Sequence, residues 1–100
     1  MKEYLDKKID CWMQDRGIVD NGKPMGQAIK TLEETTELLD ALNRNDTAAV
    51  KDAVGDIYVT LRAVCLTYDI ILDECIALAY EEIKDRKGYL REDGVFVKEA

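Results

Sequence analysis

The sequence predicts an all-α protein, a small antiparallel four-helix bundle that ends in a short extended tail. Four segments carry apolar residues at the helical period and consist of good helix formers. The connections between these segments are short, which favours antiparallel packing of neighbouring helices. The chain has 100 residues, close to the commonest domain size, so residues 1–100 are expected to form a single domain.

The first two helices are separated by a segment rich in turn residues. The first helix is predicted from about Lys2 to Asp15, with an apolar side made of Leu5, Ile9, Trp12 and Met13. The segment DRGIVDNGKPMG, residues 15–26, contains three glycines and a proline and is predicted to be a connection. The second helix is predicted over about residues 25–43, just after Pro24, whose fixed φ suits a helix start.

Capping residues mark the third and fourth helices. The third helix is predicted to begin after Asp46, a residue type favoured at the N-cap, and to reach residue 67 or 68. The fourth is predicted over residues 73–87, with Gly88 as its C-cap. After it, VFVKE alternates apolar and polar residues and is expected to form a short strand or an extended arm.

The apolar stripes of these helices predict both a core and an oligomer. On the second helix the stripe consists of Met25, Ala28, Ile29, Leu32, Thr36, Leu39 and Leu42, widened by Leu38. On the third it consists of Val50, Val54, Ile57, Leu61, Val64 and Tyr68. The third helix is apolar nearly all round, with Arg62 as the only charge after residue 56, and such a helix should be buried or lie in a subunit interface. Because four such short stripes make a small core, we expect the chain to form a homo-oligomer through a broad apolar face.

Composition excludes several classes of protein and of site. The net charge of −7 argues against binding of polymeric nucleic acid, which requires a basic surface. The chain has no histidine and no serine, which excludes Ser-His and Cys-His catalysis and histidine zinc sites. Its three cysteines lack framework spacing, as is typical of buried thiols in a reducing compartment. There is no signal peptide and no apolar run long enough for a membrane span, so a soluble, cytoplasmic protein is expected.

Three glutamates crowd one flank of the second helix. In LEETTELL, residues 32–39, helical geometry places Glu33, Glu34 and Glu37 in an arc about 100° wide, with Lys30 in its middle. Like charges three and four residues apart destabilise a helix unless they are neutralised. Lys30 can neutralise them in part, and a divalent cation would do so more completely.

Two aspartates on the third helix are candidate partners for these glutamates. Asp52 and Asp56 lie one turn apart on its second apolar face, and buried carboxylates are rare unless they are paired or bind a metal. Near the helix start, Asp52 also suits an interaction with the helix dipole. Carboxylates on two adjacent antiparallel helices would form an all-oxygen site suited to Mg²⁺ or Mn²⁺. A salt-bridged surface without metal is the alternative, because charge runs are usually solvated.

Three basic residues and one tryptophan have two interpretations each. Lys84, Arg86 and Lys87 lie in the predicted last turn of the fourth helix, where cations complement the helix dipole. Together with Lys30 they are also candidates for binding phosphates. Trp12 is a candidate for stacking on a base, although its helical spacing also suits a position in a core or an interface.

Two acidic motifs at a fixed separation resemble the signature of a known family. EETTE at 33–37 and AVGD at 53–56 have fifteen residues between them. With KTLEETTEL, DAVGDIYVTL and the terminal AYEEIKDRKGYLREDGVFVKE, the chain is similar to the MazG-like all-α nucleoside triphosphate pyrophosphohydrolases, in particular to the short single-domain type of phages and bacteria. That family carries EExxE and then ExxD on two antiparallel helices. The resemblance implies the four-helix fold of the all-α NTP pyrophosphatases over most of the chain, and it implies a homodimer or homotetramer.

The resemblance also implies an activity and a site. The family uses Mg²⁺ to hydrolyse nucleoside triphosphates to monophosphates and pyrophosphate. Glu34, Glu37 and Asp56 match its metal-binding positions, and Glu33 matches the first glutamate of EExxE. Either Glu33 or Glu37 would orient or deprotonate the attacking water.

One position departs from the family pattern. The glutamate of ExxD is replaced by Ala53, which cannot bind a metal. Either Asp52 or Glu33 takes its place, or the site binds one metal fewer. A catalytically degenerate module that binds a nucleotide or a protein partner is therefore the second interpretation, and a purely structural acidic bundle is the third.

Overall fold

The computed structural model describes residues 1–99, and helices make up most of it. In chain order the elements are α1 (Lys2–Asp15), α2 (Ile18–Asn21), α3 (Pro24–Asn43), α4 (Thr47–Tyr68), α5 (Leu72–Ile83), β1 (Gly88–Leu90) and β2 (Phe96–Lys98). The predicted all-α class is confirmed, and the two strands add only a small antiparallel hairpin. Within the described residues, no helix is both long enough and apolar enough to cross a lipid bilayer.

Helices α3 and α4 form an antiparallel hairpin and share the most extensive contact in the chain. They meet through small or polar side chains, and the fully buried ones are Ala41, Ala53, Thr60 and Ala63. Across this contact the Thr31 hydroxyl donates a hydrogen bond of 2.9 Å to the Thr60 hydroxyl, which donates to the Ile57 carbonyl at 2.8 Å. Because small side chains let helices approach closely, polar residues beside the contact are brought near one another.

The predicted start signals of α3 and α4 are confirmed. Pro24 lies in the first turn of α3, where its missing N–H costs no helical hydrogen bond. Asp46 is the N-cap of α4, and its carboxylate accepts a hydrogen bond of 3.1 Å from the Ala49 N–H. Between the helices Asn45 is left-handed with a φ of 54°, which asparagine tolerates better than most residues. This short turn makes α3 and α4 antiparallel neighbours.

Helices α1 and α2 pack against α4. Met13 of α1 is fully buried, with 1% of its surface exposed. A charged network also ties α1 to α4, because Arg62 Nη2 lies 2.6 Å from Asp10 Oδ2 and the Tyr58 hydroxyl donates to Asp6 at 2.7 Å. The side chain of Arg62 is largely buried, and its pairing with two carboxylates satisfies the charge that α4 carries into this contact.

The predicted connection at residues 15–26 is not entirely a loop. It contains α2, a single helical turn that begins after Gly17. Gly17 has a φ of 76°, a left-handed conformation that glycine adopts at little cost. The composition of this segment correctly predicted a break between two helices, but α2 is too short to show a helical period in the sequence.

The predicted end of the fourth helix is wrong. Helix α5 ends at Ile83 with Lys84 as its C-cap, so Arg86 and Lys87 lie in the connection to β1. These three cations therefore do not occupy a last helical turn, and the predicted interaction with the helix dipole there is not formed. The residues are good helix formers, but the pairing of the following segment with β2 requires the chain to become extended.

Gly88 begins β1 instead of capping a helix. It pairs with Lys98 in the hairpin, and a side chain at position 88 would collide with the Val97 carbonyl. Glycine is therefore required here by the close approach of the two strands rather than by a helix end. The strand expected in VFVKE is confirmed as β2.

The large apolar side chains of α3 point away from α4, contrary to the predicted packing stripe. More than half of the surface is exposed for Met25, Ile29, Leu32, Leu39 and Leu42. Helix α4 likewise exposes Val54, Leu61 and Tyr68. The side of α3 that is buried carries Thr31, Glu34, Leu38 and Ala41. Amphipathic periodicity identified the apolar side correctly, but it did not identify what covers that side.

The three cysteines differ in burial. Cys65 is buried, as predicted, and Cys75 is partly buried, but Cys11 is exposed and the prediction is wrong there. Burial and the neighbouring Cys75 raise the pKa of the Cys65 thiol. Cys65 therefore stays protonated and packs as a small apolar side chain.

The substitution Met13→Ala is expected to lower the free energy of unfolding by about 2–4 kcal/mol, because it removes a fully buried side chain and leaves a cavity. Urea denaturation followed by far-UV circular dichroism, at one chain concentration, measures this loss. The control is Cys11→Ala on the same helix, where the exposed side chain should change stability by less than about 0.5 kcal/mol. Equal losses from both variants would show that α1 does not pack through Met13.

Candidate metal centre and adjoining cavity

Three carboxylates from α3 and α4 meet beside the contact between these helices. One oxygen each of Glu34, Glu37 and Asp56 lie within 4.8 Å of one another. Glu34 and Glu37 are three residues apart on α3 and so share one flank, which Asp56 approaches from α4. We call these three residues the acidic cluster. The structure thus brings together three of the five carboxylates predicted as metal ligands.

Glu34 and Asp56 are the partly buried members of the acidic cluster. The side chain of Glu34 is 13% exposed, and Glu37 is exposed. Glu34 Oε2 is buried and has no hydrogen-bond partner among the described residues. A buried carboxylate oxygen without a partner costs free energy, and a bound cation would supply the missing interaction.

Two members of the acidic cluster, Glu34 and Asp56, have a raised pKa. The pKa of Glu34 is raised above the usual glutamate value by its hydrogen-bonding contact with Glu37, then by burial and by the charges of Glu37 and Asp56. Burial contributes most to the raised pKa of Asp56, and the charges of Asp52 and Glu37 add to it. The acidic cluster therefore resists full ionisation, and a divalent cation would reverse that effect.

Lys30 neutralises the acidic cluster only in part. Its Nζ lies 3.2 Å from Glu33 Oε2 and 3.9 Å from Glu34 Oε1. The hydrogen bond with Glu33 is the main cause of the raised pKa of Lys30, and the charges of Glu34 and Glu37 contribute less. Because the closer contact is with the exposed Glu33, Glu34 remains weakly paired. Glu33 thus lies beside the acidic cluster rather than in it.

Asp52 and Ala53 lie outside the acidic cluster. Asp52 is exposed, so its predicted burial on an apolar face is wrong, although its charge still raises the pKa of Asp56. Ala53 is 4% exposed within the contact between α3 and α4. A glutamate side chain at that position would force the two helices apart. Position 53, which departs from the MazG-like pattern, is therefore buried in the packing of the helices.

A cavity of about 450 Å³ adjoins the acidic cluster. Its lining includes Glu34 and Asp56 together with Trp12, Met13, Gln27, Lys30 and Thr60. A second cavity of about 430 Å³ shares Trp12 and Asp56 with the first. Cavities of this size, with apolar walls and a few polar groups, are typical of sites for small molecules.

Trp12 lies at the edge of both cavities and is not part of the chain's core. Nearly half of its surface is exposed, and the guanidinium carbon of Arg16 lies 4.5 Å from its ring centroid. A cation over the ring fixes its orientation. Of the roles predicted for Trp12, burial in the core of this chain is excluded. Its exposed surface leaves stacking on a base as a candidate role.

The residues predicted to bind phosphate do not lie together. Lys30 lines the first cavity, whereas Lys84, Arg86 and Lys87 are exposed and line neither cavity. Lys84 Nζ lies 2.8 Å from Glu81 Oε2 at the end of α5. Among the described elements α5 contacts only α4, so these three cations are not brought to the acidic cluster of their own chain.

The sequence interpretation missed two polar residues of the first cavity, Gln27 and Thr60. Both stand at helical spacing from the acidic cluster, since Gln27 is seven residues before Glu34 and Thr60 is four after Asp56. It also missed the ion pairs of Arg62 with two aspartates of α1. The available signal there was a single cation within an apolar segment, which needs a buried partner.

Comparison with known proteins finds similarity to a phage protein whose name states no function. No protein-family model matches the chain, and no solved structure matches it. A protein of Haemophilus phage HP1 (strain HP1c1), named "Uncharacterized 18.2 kDa protein in rep-hol intergenic region", is 36% identical over 59 residues. The matched region is 59% of this chain and 36% of the phage protein. The chain thus matches only about a third of that protein's length.

The substitution Glu34→Gln is expected to raise the thermal midpoint of the metal-free protein near pH 7 by a few degrees, because it removes one of three like charges. A carboxyl with a raised pKa stabilises the folded state below its unfolded pKa, and this contribution is lost as pH rises through the folded pKa. The gain should therefore shrink as pH falls and vanish near about pH 4, where the wild-type carboxyl is protonated. Thermal unfolding in a chelator across this range measures it.

The matched control is Glu33→Gln, which removes an exposed carboxylate already paired with Lys30. This variant is expected to leave the midpoint unchanged or to lower it. A gain that is independent of pH, or that is equal in both variants, would contradict the electrostatic account of the acidic cluster.

Proposed function

We propose that the chain is a Mg²⁺-dependent pyrophosphohydrolase that converts a nucleoside triphosphate to a nucleoside monophosphate and pyrophosphate. The observation that carries this proposal is the convergence of Glu34, Glu37 and Asp56 beside a cavity suited to a small molecule. Lys30 and Trp12 on the same cavity supply a cation for a phosphate and a ring for a base. The likeness of EETTE and AVGD to the MazG-like signature supports the same activity.

The acidic cluster suits Mg²⁺ by its donor chemistry. Its donors are all carboxylate oxygens, the ligands preferred by Mg²⁺ and Mn²⁺. Glu34 Oε2, buried and without a partner in residues 1–99, is an available ligand atom. Glu34, Glu37 and Asp56 would hold the ion, which when bound supplies Lewis-acid polarisation of phosphate oxygens.

Residues of the first cavity would bind and orient the nucleotide. Lys30 would exchange its contact with Glu33 for a phosphate oxygen, which is a stronger charge-assisted partner. Trp12 would stack on the base, and the side-chain amide of Gln27 would supply one donor and one acceptor to the base or sugar. Substrate held in this way would have its phosphates next to the acidic cluster.

Glu37 is better placed than Glu33 to act as the general base. Glu33 is held by Lys30, whereas Glu37 is open to solvent and would give only one carboxylate oxygen to the ion, which leaves its second oxygen to act as the base. In the proposed step a water oxygen bonds to a phosphorus of the α–β linkage, its proton passes to Glu37, and the bridging oxygen leaves. No covalent intermediate is required, which agrees with a chain that lacks serine and histidine.

The proposal extends to the fold. Helices α3 and α4 carry the two acidic motifs in antiparallel orientation, which supports the four-helix arrangement of the all-α NTP pyrophosphatases. Within a single chain α5 lies against α4 alone. Lys84, Arg86 and Lys87 remain secondary candidates for offsetting the charge of pyrophosphate, after Lys30.

The burial of Ala53 favours a second candidate function, a module that binds a nucleotide without turning it over. Ala53 is buried in the helix packing, at the position where the MazG-like pattern has a fourth carboxylate. Three carboxylates can hold one cation and its nucleotide, but a site that binds one metal fewer lacks the second cation that would stabilise the attacking or the leaving oxygen. Binding and turnover must therefore be measured separately.

The substitutions Glu37→Gln and Asp56→Asn are each expected to lower pyrophosphate release by about 100-fold or more, because each removes a member of the acidic cluster. Pyrophosphate is measured with a panel of nucleoside triphosphates and guanosine tetraphosphate, with Mg²⁺ or Mn²⁺, and chelation should abolish its release. The matched control Asp40→Asn, one turn after Glu37, outside the acidic cluster and paired with Arg44, should keep the rate within about twofold. If folded wild-type protein turns over nothing in the panel, the enzymatic proposal fails.

Lys30→Gln is expected to weaken nucleotide binding about tenfold, because it removes a cation from the first cavity. Binding is followed through the fluorescence of Trp12, the sole tryptophan, which lines the same cavity. The control Lys51→Gln changes an exposed lysine of α4 that lines neither cavity. Saturable quenching without turnover would identify the binding module, and equal effects of the two lysine variants would place the nucleotide elsewhere.

A further inference from the structure

Two thiols of the chain, those of Cys65 and Cys75, lie on either side of the short connection between α4 and α5. Helix α4 ends at Tyr68 and α5 begins at Leu72. Cys65 is three residues before the end of α4, and Cys75 is three residues after the start of α5. The two helices contact each other, so these cysteines stand at the same distance from the connection on neighbouring helices.

Backbone hydrogen bonds tie both cysteines to this connection. The Ile70 N–H donates to the Cys65 carbonyl at 2.9 Å, and the Cys75 N–H donates to the Ile71 carbonyl at 3.3 Å. Because residues 70 and 71 are adjacent, the two bonds hold the backbones of the cysteines near each other. The thiols are also close, since Cys75 adds to the effect of burial in raising the pKa of Cys65. The fold therefore brings together two free thiols that are separated by nine residues in the sequence.

The surroundings of Cys65 select the kind of oxidant that can reach the two thiols. A cavity of about 270 Å³ extends to Cys65, and three aspartates line it, namely Asp6, Asp10 and Asp73. Arg62 lines the same cavity and is already paired with the first two of these carboxylates. Negative charge repels an anionic oxidant such as glutathione disulfide, whereas hydrogen peroxide is uncharged and small enough to enter.

We propose that Cys65 and Cys75 form a modification site, a dithiol that hydrogen peroxide converts into a disulfide bond within the chain. Cys75 is the more exposed of the two thiols and reacts first. Its thiolate sulfur bonds to one peroxide oxygen, the O–O bond breaks, and the departing hydroxide takes up the proton that Cys75 has lost. The Cys65 sulfur then bonds to the Cys75 sulfur, and the S–O bond breaks. Hydroxide leaves with the Cys65 proton as water, so both sulfurs are oxidised and both peroxide oxygens are reduced.

The disulfide bond would fasten α5, a helix with little contact to the rest of the chain. Among the described elements α5 contacts only α4, and its Ile76, Leu78 and Tyr80 side chains are exposed. A covalent bond between residues 65 and 75 restricts the unfolded chain and holds α5 against α4. Oxidation is therefore expected to stabilise the protein and to slow the local opening of α5. Neither effect requires a metal or a nucleotide, so this proposal stands or falls independently of the proposed activity.

The test treats the full chain carrying Cys11→Ala, which removes the exposed third thiol, with hydrogen peroxide. Remaining thiols are alkylated with iodoacetamide, and the protein is digested with trypsin. Cleavage after Arg62 and Lys84 leaves both cysteines in one peptide, residues 63–84, so a single mass reports both thiols. We expect this peptide to have lost two hydrogens and to carry no alkyl group until it is reduced with dithiothreitol. The thermal midpoint should rise by about 5 °C or more, and amide hydrogen exchange in α5 should slow.

The matched control adds Cys65→Ala, which leaves Cys75 without a partner thiol. Peroxide should then add oxygen to Cys75 as a sulfinic acid, with no gain in the thermal midpoint. The Cys11→Ala chain is mapped with both thiols unchanged, so the test holds even if the control variant does not fold. Two alkylated thiols after peroxide treatment, or the same addition of oxygen to Cys75 with and without Cys65, would overturn the proposal. Equal conversion by glutathione disulfide at the same concentration would overturn the assignment of the oxidant.

Discussion

The close contact between α3 and α4 is the constraint on which the rest of the structure depends. Because the buried residues of α3 and α4 include small side chains such as Ala41 and Ala53, the two backbones approach and the carboxylates on one flank come together. The same packing leaves the large apolar side chains of both helices outside. The small side chains of the contact therefore leave negative charge only partly neutralised on one flank of the hairpin. They also leave large apolar side chains exposed on the opposite face.

Charged residues on the two sides of α4 are paired to different extents. This difference distinguishes ion pairs with a structural role from the candidate functional residues. Towards α1, the Arg62 guanidinium meets Asp10 in a bidentate contact and Asp6 close by, so a buried charge is fully paired. Towards α3, the three carboxylates of the acidic cluster lie near a single cation, Lys30. That lysine is closer to the exposed Glu33 than to Glu34. Ion pairs of the first kind hold helices together. A cluster of the second kind destabilises the chain unless it binds something, which is typical of functional sites.

Sequence patterns predicted the elements and three ligands of the candidate site but not the faces of the helices. The starts of α3 and α4 follow from Pro24 and Asp46, whose effects are local. Glu34 and Glu37 share one flank because of helical periodicity alone, whereas Asp56 joins them through the packing of α4 against α3. Which stripe is covered depends on the other helices, and for that reason periodicity alone placed the core of α3 on its exposed side. The end of α5 depends on a strand pairing that no local pattern reveals.

The sequence separations within the acidic cluster and within the cavity lining predict the order in which the two form during folding. All of its members lie between residues 34 and 56, within one helical hairpin, so little chain entropy is lost when they meet. The cavity needs α1 as well, and the contacts of Asp10 with Arg62 join residues 52 positions apart. The carboxylates are thus expected to assemble first and the cavity wall afterwards. In a nascent or partly unfolded chain, the negative charge of the acidic cluster would therefore be concentrated before the cavity beside it had formed.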